Sequence, residues 1–253
     1  KEPILIIKTA WGGRSLMTDF RPPSAGKRVF NDYTKERWKE RGLDLEKEAA
    51  KNKEQCGIFY GHMIAHVKKV LADIKRVMPE YDEAQGYELA GFVWMHGFND
   101  YVDGWSYPDR MKPGGYDEYA QLLAHLIRDV RKDLGAPKMA FVVGVMGIGG
   151  VKEGETPPQK HFREAQVAPL ALPEFQGNVA AVPTAPFWSE ELGAIEKKRE
   201  RIEPDAYLLR SKNKNRPNKD GTMTTGQQRE YLQKFEADLI TPAEAALWKR
   251  GAS

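Results

Sequence analysis

Residues Leu89–Asp100 read LAGFVWMHGFND, an apolar run that ends at a glycine and continues into asparagine and aspartate. From Leu89 to His96 the apolar residues are mostly consecutive rather than alternating, which is typical of a strand covered on both faces. Three further segments share this short, branched or aromatic character: Ile4–Trp11, Met139–Met146 and Val179–Pro183. The sequence therefore predicts four buried strands.

Segments with helical periodicity separate these strands. Apolar residues recur along one stripe of Ile58–Val77 and of Tyr116–Leu134. Pro79 and Gly135 follow the two segments, at positions where helices commonly end. Strands that alternate with helices predict an α/β fold, with a three-layer parallel sheet flanked by helices. The carboxyl ends of the strands, where ligands bind, should then share one edge.

Composition narrows the class of protein. The chain has 253 residues, of which 41% are hydrophobic and 30% charged, as in ordinary soluble globular proteins. Its net charge of +3 is small for a nucleic-acid binder, and the basic run Lys212–Lys219 is isolated. No apolar run approaches the ~20 residues that cross a bilayer, so no membrane partner is expected. The single cysteine, Cys56, completes no disulfide or metal quartet, and no cofactor is implied.

Two charged stretches are predicted to be insertions into one domain that spans residues 1–253. The first insertion covers residues 26–56, and the second covers residues 189–250. Within the second, Ser189–Arg210 and Gly226–Lys249 have helical character and are joined by a polar loop. A solvated helical hairpin is the favoured interpretation of this second stretch.

Glycines follow three of the predicted strands, in Gly12–Ser15, Gly97–Asp100 and Gly147–Gly150. Two glycines in a row bring backbone N–H groups close to a ligand, so Gly12 and Gly13 are candidate donors to an oxyanion. Ser15 is either a nucleophile or a capping residue of a tight turn. The capping role is favoured because the G-x-S-x-G pattern is not met.

The polar group after the second predicted strand has two interpretations. The side chain of Asn99 can donate an N–H to a developing negative charge, and Asp100 can orient a histidine or cap the next segment. Alternatively, both residues form an Asx turn that bonds only to the backbone. Spacing alone favours neither interpretation.

The histidines do not form a recognisable motif. His62 and His66 have the i, i+4 spacing of a metal pair, but no third ligand is evident, so a packed or surface pair is favoured. His125 is interpreted as structural, and His161 opens a predicted helix over Phe162–Leu172 that can face the sheet edge. Nucleotide binding is set aside, because the glycines after Met146 lack the G-x-G-x-x-G spacing.

Two of these segments resemble a known family. Ile6–Leu16 (IIKTAWGGRSL) is similar to the second block of the sialate O-acetylesterase domain, and Phe92–Asp100 (FVWMHGFND) is similar to its third block. Arg21–Ser24 and Pro173–Val179 also resemble bacterial members. These domains belong to the SGNH hydrolase superfamily and are close to the carbohydrate esterases of family six. The resemblance covers most of the chain apart from the helical insertions.

The resemblance implies serine-dependent hydrolysis of acetyl esters of sugars on a flavodoxin-like, three-layer scaffold. It also implies an acetylated carbohydrate as partner and an extracellular or periplasmic location. The implied oxyanion donors are the amide of Gly13, the side chain of Asn99 and the ring of His96, which stands where many relatives have glutamine. The residues that would line the substrate are Gly12, Arg14, Gly97, Asp100 and Trp105.

Two expected parts of the family pattern are missing from the 253 residues. No Gly-x-Ser precedes Gly12, and no histidine follows His161, so neither the nucleophile nor the base is found. We therefore expect the chain to be truncated at both ends, to lack its first strand, to be inactive alone and to aggregate.

The alternative interpretation is a non-catalytic carbohydrate-binding or interaction module on a decayed esterase fold. In that interpretation Trp105 and Tyr107 are exposed and stack on sugar rings, although packing of both at the rim is favoured.

Overall fold

The computed structural model describes residues 3–151, 155–202, 209 and 218–251. The chain divides into two compact units. The first consists of Lys1–Met146 and Glu153–Thr184, and the second of Gly147–Lys152 and Ala185–Ser253. The second predicted insertion lies within the second unit, while the assignment of one domain to residues 1–253 stays a prediction.

The first unit alternates helices with strands. Its helices are α1 (Asp32–Glu40), α2 (Leu45–Gln55), α3 (Ile58–Leu71), α4 (Phe98–Val102), α5 (Asp117–Asp133) and α6 (Pro157–Val167). Its strands are β1 (Gly91–Trp94), β2 (Ala140–Val145) and β3 (Val179–Pro183). Compared with the predicted helices, α3 ends earlier, before a 3-10 turn at Ile74–Arg76, and α6 begins earlier, at a proline that suits a first helical turn.

The three strands form a parallel sheet in the order β1-β2-β3, flanked by helices. Gly91 pairs with Ala140 and Phe141 pairs with Val179, which fixes the register of both strand pairs. The predicted α/β class and three of the four predicted strands are therefore confirmed. Because the strands are parallel and adjacent, their carboxyl ends share one edge.

The predicted first strand, Ile4–Trp11, is wrong. This segment has no regular secondary structure, and the side chains of Ile4 and Ile6 are 84% and 82% exposed. A strand requires a neighbour for its backbone N–H and C=O groups. Within the described residues no segment pairs with the outer edge of β1 or with Ile4–Trp11.

The two faces of the sheet differ in burial. One face carries Trp94, Phe141 and Val143, which are at most 5% exposed and belong to the hydrophobic core. On the other face, Val93 is 69% exposed and Val182 is 43% exposed. The expectation that each strand is covered on both faces is therefore wrong for β1 and β3. Helices α3, α5 and α6 all contribute side chains to the core cluster that contains the buried face.

The first predicted insertion is only partly solvated. Helix α1 begins at Asn31, whose side chain accepts a bond from the Thr34 N–H, and it buries Trp38. Asn31 and Thr34 both donate to the carbonyl oxygen of Trp105, which fastens α1 to the chain after α4. Helix α2, in contrast, buries no side chain.

The second unit is helical in its described part. Its helices are α7 (Glu190–Glu200), α8 (Thr225–Leu239) and α9 (Pro242–Gly251). The single predicted helical segment Gly226–Lys249 is therefore two helices, because Pro242 cannot continue α8 and begins α9 instead. Most of the predicted polar loop, residues 211–217, lies outside the described residues. In the described part of the chain, no helix combines the length and apolar character needed to cross a bilayer.

Candidate functional site

A buried carboxylate joins the two segments that sequence patterns single out. Asp100 is 0% exposed and accepts hydrogen bonds from the backbone N–H groups of Leu16 at 2.7 Å and Met17 at 2.9 Å. The hydroxyl of Tyr107 donates to the same carboxylate at 3.1 Å. Asp100 therefore does not line an open pocket; it positions the turn after Gly13 against α4.

One side chain after the end of β1 and one on α4 converge on the carbonyl oxygen of Arg14. His96 Nε2 lies 2.8 Å from this oxygen, and Asn99 Nδ2 lies 3.0 Å from it. A carbonyl oxygen only accepts, so Nε2 of His96 carries a hydrogen. The carboxamide of Asn99 has two N–H donors, so one remains beyond the bond to Arg14.

The glycine pair before Arg14 forms an exposed turn. Gly13 has a φ of +71°, which an L side chain rarely adopts, and open space surrounds the position of a Cβ atom. Neither Gly12 nor Gly13 donates its N–H to an acceptor in the described part of the chain. The turn therefore carries two unpaired backbone donors one and two residues before Arg14, whose carbonyl His96 and Asn99 contact.

Burial sets the electrostatics beneath this turn. Burial raises the pKa of Asp100, although the nearby charge of His96 and the bonds from the Leu16 and Met17 amides oppose the shift. Burial, and then the charge of Asp100, raise the pKa of Tyr107 well above its ordinary value. His96 Nδ1 lies 3.9 Å from the Asp100 carboxylate and has no hydrogen-bond partner among the described residues. The underside of the turn is therefore a low-dielectric environment.

The backbone at His96 is held by residues that the sequence patterns did not indicate. Gln166 donates to the His96 carbonyl oxygen at 3.0 Å and accepts from the Met146 N–H at 2.8 Å. Gly97 has a φ of +144°, and a Cβ there would lie 2.6 Å from the Phe162 ring. Gln166 could have been identified as a polar residue on the same side of α6 as the buried Phe162 and Ala165.

Ser15 has the capping role. Its Oγ accepts from the Thr18 N–H at 3.1 Å and donates to Asp19 at 3.2 Å. Arg14 pairs with the same Asp19 at 3.2 Å. Its guanidinium lies 4.2 Å from the centroid of the Phe59 ring, so Arg14 is held on the exposed side of the turn.

The aromatic pair predicted to stack on sugars is not available for it. Tyr107 is 2% exposed, so its predicted exposure is wrong. Trp105 is half-buried, with the guanidinium of Arg41 lying 4.5 Å from its ring centroid. Trp105 is bonded to α1 through its carbonyl oxygen, and Tyr107 packs against Tyr116 and bonds to Asp100. Among the described residues, no contact brings Trp105 to the glycine turn.

The other histidines are surface or packing residues. His62 and His66 are exposed, and no cluster of three metal-binding side chains occurs among the described residues. His125 is half-buried and bonds to Ser24 Oγ at 2.7 Å, and His161 lies 3.3 Å from the Arg110 carbonyl oxygen. Gly150 packs against Trp188, which is a structural role.

The amides of Gly12 and Gly13 and the second N–H of Asn99 are the donors near this turn that have no acceptor among the described residues. Comparison with family models, with curated proteins and with solved structures finds no match to the chain. Function is therefore inferred from the residues and their geometry.

Proposed function

We propose that this chain carries the oxyanion-binding part of a carbohydrate acetyl esterase of the sialate O-acetylesterase type. The observation that carries the proposal is the convergence of Asn99 and His96 on the carbonyl of Arg14, directly beside the free amides of Gly12 and Gly13. The N–H of His96 is taken up by the Arg14 carbonyl, so His96 orients the turn, while the glycine amides and the second N–H of Asn99 are the donors proposed for the tetrahedral oxyanion of acyl transfer.

In the proposed reaction a serine oxygen attacks the carbonyl carbon of the acetyl ester. A histidine takes the serine proton and passes it to the departing sugar oxygen, and water then releases acetate from the acyl-serine. The Gly13 amide and the free N–H of Asn99 would hold the oxygen that becomes negative. Asp100 acts through the backbone of Leu16 and Met17, so it is a positioning residue.

The nucleophile and the base are proposed to come from segments outside these 253 residues. Support comes from the sheet itself: the outer edge of β1 has no partner strand among the described residues. A further strand at this edge would place a new carboxyl end next to the Gly12–Gly13 turn. The location implied by the resemblance, outside the cytoplasm, forms part of the same proposal.

The test compares this chain with the longest reading frame that contains it. Both are assayed with 4-nitrophenyl acetate and with a peracetylated sugar, and the acetate released is measured. We expect turnover only from the longer protein, with Asn99→Ala lowering its kcat by about 100-fold or more. Gln85→Ala, on an exposed turn, is the matched control and should leave kcat unchanged.

Absence of turnover in the longer protein, together with saturable sugar binding, would instead support the non-catalytic module. If the longer protein turns over the substrates and Asn99→Ala leaves kcat unchanged, the proposed oxyanion site is contradicted, and the protein is an esterase with a different active site.

A further inference from the structure

Three aromatic rings surround the exposed side of the glycine turn. Trp11 is 38% exposed, although most tryptophans are largely buried. Its ring centroid lies 5.4 Å from that of Phe59 and 6.4 Å from that of His62. The rings of Phe59 and His62 are 5.6 Å apart and nearly perpendicular. Together Trp11, Phe59 and His62 form what we call the aromatic platform.

The backbone fixes the platform to the turn. Gly57 donates its N–H to the Thr18 carbonyl oxygen at 2.9 Å, and Phe59 donates to the Asp19 carbonyl oxygen at 3.0 Å. These bonds dock the start of α3 onto the segment that follows Arg14, and the first two turns of the helix carry Phe59 and His62. A side chain at Gly57 would lie 2.9 Å from the Arg21 carbonyl oxygen, so the docking requires glycine. The platform is thus a fixed part of the fold.

Polar donors lie beside the rings. The guanidinium of Arg14 lies over the face of Phe59, and although its Nε is buried, the side chain as a whole is 42% exposed. Gly12 and Gly13, which follow Trp11 directly, present free amides. The exposed rings of Trp11 and His62, next to the glycine amides, suit a ligand that has both C–H faces and hydroxyl groups, which is the chemistry of a pyranose ring; Phe59 supports the other two rings from below.

We propose that the aromatic platform binds the sugar ring of the substrate, with Arg14 donating to its hydroxyl groups. The proposal deepens the esterase function above and rests on it for the identity of the substrate, but the binding itself needs no acetyl group. It replaces Trp105 and Tyr107, which pack elsewhere, as the aromatic contact to sugar.

The test measures sugar binding by the chain itself. Methyl β-glucoside, methyl β-galactoside and methyl β-xyloside are titrated, and binding is followed by tryptophan fluorescence and by saturation-transfer NMR. We expect at least one glycoside to bind saturably. Trp11→Ala should weaken that binding about tenfold, as loss of an aromatic anchor does, whereas Trp11→Phe should retain most of it.

Trp105→Ala is the matched control, since it removes the same ring from a packed position and should leave affinity within about twofold. His62→Ala, at an exposed position, provides a second variant if Trp11→Ala does not fold. Absence of saturable binding by all three glycosides, or equal losses from Trp11→Ala and Trp105→Ala, would overturn the platform. If a longer protein hydrolyses acetyl esters but shows either of these two results, the sugar-binding role of the aromatic platform is overturned and the esterase function stands. If a longer protein binds a glycoside saturably through Trp11 but shows no turnover, the esterase function is overturned and the aromatic platform stands.

Discussion

Two neighbouring segments, Pro3–Trp11 and Arg14–Met17, have very different environments. In the first, Ile4 and Ile6 are more than 80% exposed. In the second, Leu16 is 0% exposed, and its amide is bonded to Asp100. Leu16 in the second segment is as apolar as Ile4 and Ile6 in the first, so the hydrophobicity of these side chains does not explain the difference in burial. The difference is that Arg14–Met17 has partners from α4 and the end of β1, whereas Pro3–Trp11 has no neighbouring strand among the described residues.

The largest expected effect comes from removing the carboxylate that holds the second segment. Asp100→Ala leaves the amides of Leu16 and Met17 and the hydroxyl of Tyr107 without their acceptor, at a cost of about 3–4 kcal/mol in the free energy of unfolding. Urea denaturation measures this cost. Asp109→Ala, at an exposed ion pair with Lys112, is the control and should cost less than about 1 kcal/mol. Similar losses from both variants would mean that Asp100 does not hold the turn.

A core truncation compares the two segments directly. Leu16→Ala removes a fully buried side chain and should lower the free energy of unfolding by about 3 kcal/mol. Ile6→Ala removes an exposed one and should change it by no more than about 0.5 kcal/mol. Both values are obtained from urea titrations of the same preparation. A large loss from Ile6→Ala would show that Pro3–Trp11 packs in solution.

The titration of Asp100 gives a smaller, pH-dependent effect. Because burial raises its pKa, the folded state keeps this proton to a higher pH than the unfolded chain does. The folded state then binds more protons between the two pKa values, so the contribution of Asp100 to stability falls as the pH rises above about 4. Asp100→Asn cannot titrate. We expect the wild type to lose stability relative to this variant over that range in urea titrations, and a difference of the opposite slope would contradict the raised pKa.

The smallest effect on stability is expected at the open sheet face. Val93→Lys replaces a 69% exposed side chain and should change the free energy of unfolding by less than about 0.5 kcal/mol. It should nevertheless reduce self-association, because a charge on an edge strand opposes edge-to-edge pairing. Light scattering during concentration measures this. Gln85→Lys adds the same charge on an exposed turn, and an equal benefit from it would point to net charge instead.

Local patterns predicted the parts of the fold that depend on neighbouring residues. In β1, β2, β3 and α5 the spacing of apolar residues, and the residues that end each segment, are visible within the segment itself. Whether Ile4–Trp11 forms a strand depends instead on a partner distant in sequence, and its apolar pattern has no information about that partner. The exposed face of β1 and β3 was mispredicted for the same reason, because covering a sheet face requires helices or strands from distant parts of the sequence.

The candidate site was predicted in part for similar reasons. The glycine turn and Asn99 were identified because each follows an apolar run, and the structure brings them together at the Arg14 carbonyl. The hydrogen bonds that Leu16 and Met17 donate to Asp100 span 84 and 83 residues, so spacing could not indicate them. The direction of Tyr107 was mispredicted because a loop position does not determine whether a ring points inward. The exposed ring of Trp11 was missed because its segment was interpreted as a buried strand.

The hydrogen bonds accepted by the His96 carbonyl oxygen restrict movement of the backbone at this position. Its carbonyl oxygen accepts from Gln166 on α6 at 3.0 Å and from the Tyr119 hydroxyl on α5 at 3.3 Å. Flipping this peptide would break both bonds at once and leave buried donors unpaired. The imidazole of His96 therefore cannot swing away by a backbone change at its own position. A change of the backbone at His96 must therefore break its bonds to α5 and α6 together, which makes it slower than a local side-chain fluctuation.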